Sequence, residues 1–234
     1  MRLDKILTHS GYGSRKEVQK MIKSKKVTVD GQIISKPESN INPEQSEICI
    51  NGNPVDYQEF YYYILNKPCG YISATEDPTE QTVIDLLVVE DRNKELFPVG
   101  RLDKDTEGLL LLTNDGKLAH DLLSPKKHVD KIYYAKVKGM MVEEDINTFA
   151  QGMTLENGTT YKPGKLEIIS SGEFSEIYVT IKEGKFHQVK RMVQFVGKEV
   201  VYLKRIQMGQ LKLPEDLALG AYRKLTEKEI AYLQ

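Results

Sequence analysis

The stretch Gly100-Arg101-Leu102-Asp103-Lys104-Asp105-Thr106-Glu107-Gly108-Leu109 runs directly into Leu110-Leu111-Leu112. A polar loop with central carboxylates is thus joined to a short, wholly apolar run, which reads as a buried strand. Asn114-Asp115-Gly116 closes that strand with turn residues. A loop carboxylate anchored on a rigid buried strand is a common way to build a functional site. Composition alone also allows a charged turn in which Asp103 or Asp105 caps backbone N–H groups. Outward from this stretch, Phe60 to Leu65 is an apolar, aromatic strand, and Val129 to Val137 is another. Leu166 to Ile169 and Ile177 to Ile181 read as paired strands, and Glu143 to Ala150 as a helix. His187 to Val196 is a helix stopped by Gly197, and Thr226-Glu227-Lys228-Glu229 is a capping box opening a terminal helix. Strands and helices are mixed and hairpin turns are frequent. The pattern predicts an α+β fold with a mainly antiparallel mixed sheet flanked by helices, not a doubly wound parallel one.

Toward the N-terminus the pattern changes. Leu3, Ile6 and Leu7 recur at helical spacing, with Gly11 and Gly13 after them. Ser14 to Glu17 is a capping box, and Val18, Met21 and Ile22 form the apolar stripe of a second helix. Val27-Thr28-Val29, the turn Asp30-Gly31 and the return Gln32 to Ile34 form a small hairpin. Ile48-Cys49-Ile50 is a further strand, meeting the turn Asn51-Gly52. The pattern loosens from Pro54 to Glu59, which places a linker there and divides the chain into residues 1–59 and 60–234.

Charge divides the same way. The first 26 residues carry Arg2, Lys5, Arg15, Lys16, Lys20, Lys23, Lys25 and Lys26 against Asp4 and Glu17, a net +6, whereas the whole 234-residue chain is −1. A compact basic start on a mildly acidic body suggests a polyanion contact, with a solvated helix face as the alternative. With 40% hydrophobic and 29% charged residues, the composition is that of a soluble globular protein and excludes fibrous and disordered classes. No apolar run approaches the roughly 18 residues of a membrane span. Met1 to Lys5 lacks the layout of a signal peptide. Cys49 and Cys69 are the only cysteines and form no Cys-x-x-Cys pair, so neither a disulfide framework nor a zinc module organises the chain. A cytoplasmic location is expected.

Residues 1–50 resemble the S4 RNA-binding domain, through Arg2 to Lys5, Gly11 to Glu17 and Val27 to Gly31. The Gly100 to Leu109 run resembles the Gly-Arg-Leu-Asp-x-Asp-Thr-x-Gly-Leu signature of the RsuA/Rlu group of pseudouridine synthases. Three further blocks agree in order: Leu65 to Tyr71, Lys131-Ile132-Tyr133, and Glu183 to Met192. This resemblance implies isomerisation of a uridine in ribosomal RNA. The C1′–N1 bond breaks, the uracil turns, and it rejoins through C5, with no cofactor and no metal. It implies that Asp103 is the catalytic carboxylate, acting either by attack at C1′ or by promoting a glycal-like intermediate. Tyr133 is implied as the pocket tyrosine that stacks on the base and can take the C5 proton. Lys190 is implied as the basic partner of Asp103. Arg101 and Leu203 are expected in the substrate pocket. The basic residues Arg2, Arg15, Lys16, Lys20, Lys23, Lys25 and Lys26, with Arg191, are expected to contact RNA. His187 has no nucleophile beside it in sequence and is expected to be structural or to touch RNA.

The His187-Gln188-Val189-Lys190-Arg191-Met192 wording is similar to the branch acting on 16S rRNA. Gln207 and Gln210 depart from that branch, where Arg and Gly are expected. The resemblance implies a monomer whose partner is 16S rRNA, free or within an assembling small subunit. A synthase acting on 23S rRNA and a non-catalytic RNA-binding assembly factor are the alternatives.

Overall fold

The apolar positions of the N-terminal segment find one another as their spacing requires. In the computed structural model, which describes residues 1–124, 127 and 129–233, helices α1 (Leu3–His9) and α2 (Arg15–Lys23) form a hairpin. Ser14 caps α2: its backbone N–H donates to Glu17 Oε2 at 2.8 Å, and its hydroxyl accepts from Glu17 N. Strands β1 (Val27–Val29), β2 (Gln32–Ile33), β3 (Ile48–Ile50) and β4 (Asn53–Pro54) form an antiparallel sheet in the order β2-β1-β3-β4. Its two tight turns, Asp30-Gly31 and Asn51-Gly52, have positive φ at both residues, the backbone that matches strand twist in a two-residue hairpin. Leu3, Ile6, Leu7, Val18, Ile22, Val27 and Ile48 close the core of this unit. Residues 84–97, including helix α3 (Val89–Arg92), cluster with residues 1–61. The division at residue 59 expected from sequence places them in the second domain, because nothing local marks a segment that clusters with residues more than twenty positions earlier.

The second unit comprises residues 62–83 and 98–234. Its strands are β5 (Tyr62–Lys67), β6 (Phe97–Val99), β7 (Glu107–Thr113), β8 (Lys131–Lys138), β9 (Met153–Thr154), β10 (Thr160–Tyr161), β11 (Lys165–Ser170), β12 (Phe174–Ile181), β13 (Glu199–Met208), β14 (Leu211–Lys212) and β15 (Tyr222–Lys224). Helices α4 (Gly116–Leu123), α5 (Glu143–Gln151), α6 (Gln188–Phe195) and α7 (Glu227–Ala231) accompany them. Among the described residues a nine-stranded sheet runs β11-β12-β8-β13-β7-β5-β15, with β14 on β13 and β6 on β7. The expected α+β class and mainly antiparallel sheet are present. The pairing of β7 with β13 is parallel. β8 and β12 alternate buried and more exposed residues, as half-buried strands do. β7 instead is buried along Gly108 to Thr113, the mark of a central strand covered on both faces. α6 buries Val189, Met192 and Val193, leaving Lys190 and Arg191 beside that stripe.

Candidate active site

The loop from Gly100 to Thr106 lies between β6 and β7, and three remote groups fix its backbone. Lys67, at the end of β5, is fully buried. Its ammonium donates to the carbonyls of Pro68 at 3.0 Å, Asp103 at 3.0 Å, Lys104 at 3.3 Å and Thr106 at 2.8 Å. Burial pushes this ammonium down to about 8, against the pull of nearby Asp103, Asp105 and Glu107. The hydroxyl of Ser73 donates to the Leu102 carbonyl at 2.9 Å and accepts from the Leu102 N–H at 3.0 Å. Gly70 N donates to the Lys104 carbonyl at 2.8 Å. The loop's exit is set at Gly108 (φ 102°), which faces Arg205 across the parallel seam. A Cβ there would stand 2.2 Å from the Arg205 carbonyl oxygen. The buried Arg205 guanidinium in turn donates through Nε to the Leu109 carbonyl at 2.9 Å.

On this frame the Asp103 carboxylate meets α6. Lys190 Nζ is 3.1 Å from Asp103 Oδ2 and 2.5 Å from Asp105 Oδ1, so one ammonium spans two carboxylates. Burial works against the charge of Lys190, but Asp105 and Asp103 outweigh it and hold the ammonium above its ordinary value. Asp105 is likewise held below its ordinary value: burial opposes this, and the hydrogen bond and charge of Lys190 prevail. His187 caps α6 in the left-handed region (φ 51°), with Nε2 3.6 Å from Asp103 Oδ1. Its ring stacks on Phe186 at 3.8 Å between centroids, and Arg191 lies over the other ring at 5.0 Å.

Tyr133, on the buried face of β8, completes the site. With Arg101, Asp103 and Leu203 it lines a small recess of about 50 Å³. Tyr133 and Arg101 also line an adjoining cleft of about 850 Å³, large enough for a nucleotide and its neighbours. The five residues singled out for catalysis and substrate contact therefore converge: Asp103, Tyr133, Arg101 and Leu203 on the recess, and Lys190 on Asp103. The sequence reading missed three things. It gave Asp105 no share of Lys190, left His187 unconnected to Asp103, and assigned no role to Lys67. A lysine ending an otherwise buried strand was the available signal for the last.

The N-terminal basic residues Arg2, Arg15, Lys16, Lys20, Lys23, Lys25 and Lys26 are all exposed on the first unit. Two of them are not free charges. Arg2 and Arg15 reach the wholly buried Asp4 at 2.8 and 3.4 Å, and Gln19 Nε2 donates to it at 3.0 Å. Burial alone would raise Asp4; the hydrogen bonds from Arg2 and Gln19 and the charges of both arginines hold it at about 2. Among the described residues, no three His, Cys, Asp or Glu side chains gather as a metal site, and no helix is long and apolar enough to cross a membrane.

Residues 61–195 match the family model for RNA pseudouridylate synthase, more than half of the chain. The chain belongs to the RNA pseudouridine synthase family. Residues 1–48 of this synthase match the S4 domain. It is 53% identical over 234 residues to the uncharacterized RNA pseudouridine synthase YtzG of Bacillus subtilis (strain 168), covering 100% of this chain and 98% of that one. It is 40% identical over 233 residues to the ribosomal small subunit pseudouridine synthase A of Escherichia coli (strain K12), covering 99% of each. A crystal structure of a pseudouridylate synthase superposes with a TM-score of 0.70 at 34% identity over the full length of both chains. The synthase fold and the activity class thus rest on relatives that span the chain, including both the S4 part and the Asp103 loop.

Proposed function

We propose that this synthase isomerises a uridine of 16S rRNA to pseudouridine, with Asp103 as its catalytic carboxylate. The observation that carries the substrate is the match, over 99% of both chains, to a relative named for the ribosomal small subunit. Residues 1–59 hold the RNA through their exposed lysines, and residues 60–234 carry out the reaction. The protein works as a monomer in the cytoplasm, on rRNA that is free or in an assembling small subunit.

The geometry supports a division of labour. The ion pair with Lys190 turns the Asp103 carboxylate toward the recess. Tyr133 and Leu203 offer a ring and an apolar wall to a base extruded from its helix. Arg101, beside them, fills the space that the base leaves. In the reaction the C1′–N1 bond breaks, the uracil turns where the recess opens into the larger cleft, and C5 bonds to C1′. The C5 proton leaves and N1 gains one, and the Tyr133 hydroxyl relays it.

The test is release of tritium from uridine labelled at C5, using purified protein on 16S and 23S rRNA transcripts and on assembling small subunits. Release from a 16S substrate alone, at one uridine located by chemical mapping, is the expected result. Release only from 23S rRNA would overturn the substrate assignment, and release from neither would favour a non-catalytic assembly factor.

A further inference from the structure

The floor of the larger cleft holds two cations that the reaction described above does not use. Lys131 and Tyr133 are two residues apart on β8 and so share a face, and the strand register sets Arg205 of β13 directly opposite Tyr133. All three side chains line the cleft. Lys131 is 7% exposed and Arg205 2%. Burying a charge is costly unless it is paired, and here pairing is lacking. Among the described residues, no carboxylate stands within ion-pair distance of either group. Lys131 Nζ donates to the Val129 carbonyl alone, at 3.2 Å. Arg205 spends Nε on the Leu109 carbonyl, and its Nη2 is buried with no hydrogen-bond partner. Burial and the Arg205 charge both push the Lys131 ammonium down, and only the Asp130 charge opposes them.

The rest of the cleft has the same sign. Lys162, Lys182 and Lys185 stand on its walls with Arg101. Glu183 is the single carboxylate among the lining residues, and it is already engaged. It accepts from Lys162 N at 2.8 Å and from Gln188 Nε2 at 2.9 Å, and its other oxygen lies 3.5 Å from Lys185 Nζ. Two like charges on one cleft floor, one of them with an idle donor, beneath cationic walls, form a site suited to an anion.

We infer that Lys131 and Arg205 form a phosphate site, which takes a phosphodiester of the RNA strand next to the uridine that enters the recess. The inference rests on the reading of the recess as the uridine site. Tyr133 lines both spaces, so a base in the recess leaves its own backbone in the cleft. The site is blind to base identity, because a phosphate carries no sequence. It therefore holds the strand in register and leaves the choice of uridine to other contacts.

The test is the salt dependence of binding of a short labelled single-stranded RNA, for the full-length protein and for Lys131→Met. The methionine keeps the stem and removes the charge. Losing one phosphate contact is expected to weaken binding roughly tenfold and to lower the slope of log affinity against log salt by about 0.7–1. Lys212→Met, an equal charge loss at an exposed residue of β14 outside the cleft, is expected to leave the slope unchanged. Equal slopes for Lys131→Met and the parent would overturn the inference, as would equal changes in both variants. Should Lys131→Met fold poorly, the parent protein decides alone. Inorganic phosphate is expected to raise its melting temperature beyond chloride of equal ionic strength, and no difference would overturn the site. These readouts measure binding of any RNA strand or of phosphate. They can fail while 16S rRNA is modified, and they can succeed if the target proves to be another RNA.

Discussion

Replacing Gly108 by alanine should harm this enzyme through backbone alone, since the residue carries no chemistry. At φ 102° the added Cβ would lie 2.2 Å from the Arg205 carbonyl oxygen and 2.9 Å from the Arg205 nitrogen, where ordinary contact begins near 3.4 Å. The side-chain Cγ of Lys204, also at 2.9 Å, can shift, but the two Arg205 atoms are strand backbone in the parallel seam and cannot swing aside. The seam must open by the shortfall, 3.4 − 2.2 = 1.2 Å. Holding a non-glycine residue in such a conformation costs about 1–3 kcal/mol. Loosening a backbone hydrogen bond or two of the seam adds about 0.5–1.5 kcal/mol each. A destabilisation of about 3–5 kcal/mol follows, which for a protein of this size lowers the melting temperature by roughly 6–20 °C. The opening would also be felt at Asp103, whose loop runs into β7 at this point. A misplacement of about 1 Å at reacting groups can cost on the order of 100-fold in rate. Gly116→Ala is the internal control: it opens α4, and nothing stands within 4 Å of its added Cβ. That variant should be neutral or gain about 0.4–1 kcal/mol. Thermal melts and tritium release at a temperature where both variants are folded make the comparison. If Gly108→Ala melts within about 2 °C of the parent and turns over at the parental rate, the close approach of β7 and β13 does not set the loop.

Three further outcomes are expected. Asp103→Asn keeps shape and removes charge, so pseudouridine formation should vanish with melting temperature and RNA affinity retained; a rate above a few hundredths of the parental one would remove Asp103 from the chemistry. Lys190→Met leaves Asp103 and Asp105 facing each other without a cation, and because Asp103 and Lys190 keep 27% and 21% side-chain exposure, the cost should be about 1–3 kcal/mol, less than for a fully buried pair. Asp105 loses the group that holds it below its ordinary value, so the acid limb of turnover against pH should move toward alkaline pH, and Lys190→Arg should restore it; an unmoved limb in Lys190→Met would exclude the pair from catalysis. In the first unit Asp4 sits at about 2 in the fold against 3.8 outside it, so its contribution of about 2 kcal/mol is present above pH 4 and is lost as pH falls toward 2; melts of the full chain between pH 2 and 5 should show this loss, and Asp4→Asn should remove that part of the slope.

The parts of this molecule that sequence could reveal are those set by neighbouring residues. Ser14 and Glu17 are three apart, so their capping box was readable, as was the Asp30-Gly31 turn. The apolar alternation of β12 and the stripe of α6 were readable for the same reason. The parallel pairing of β7 with β13 was not, because neither the apolar run of β7 nor the mixed pattern of β13 names its partner. Residues 84–97 cluster with the first unit through contacts that no local pattern records. Nor did charge counting show that Arg2 and Arg15 are partly spent on Asp4, since a buried carboxylate looks like any other in a sequence.

The candidate site divides along the same line. Asp103 and Asp105 lie in one run, and His187, Lys190 and Arg191 in another, so the groups of the proposed site were visible as motifs. The groups that hold them still come from elsewhere. Ser73 grips Leu102 from 29 residues away, Lys67 grips Thr106 from 39, and Arg205 grips Leu109 from 96. Each is a side chain bonded to backbone, so it constrains where the loop lies without requiring a particular side chain on the loop. Nothing in the loop's own composition points to them. The consequence is a division of effects: changes in the motif should remove chemistry from a sound fold, whereas changes at Lys67, Ser73 or Gly108 should misplace an intact Asp103. The second class should lose rate and stability together, and that coupling distinguishes positioning residues from those that meet the uridine.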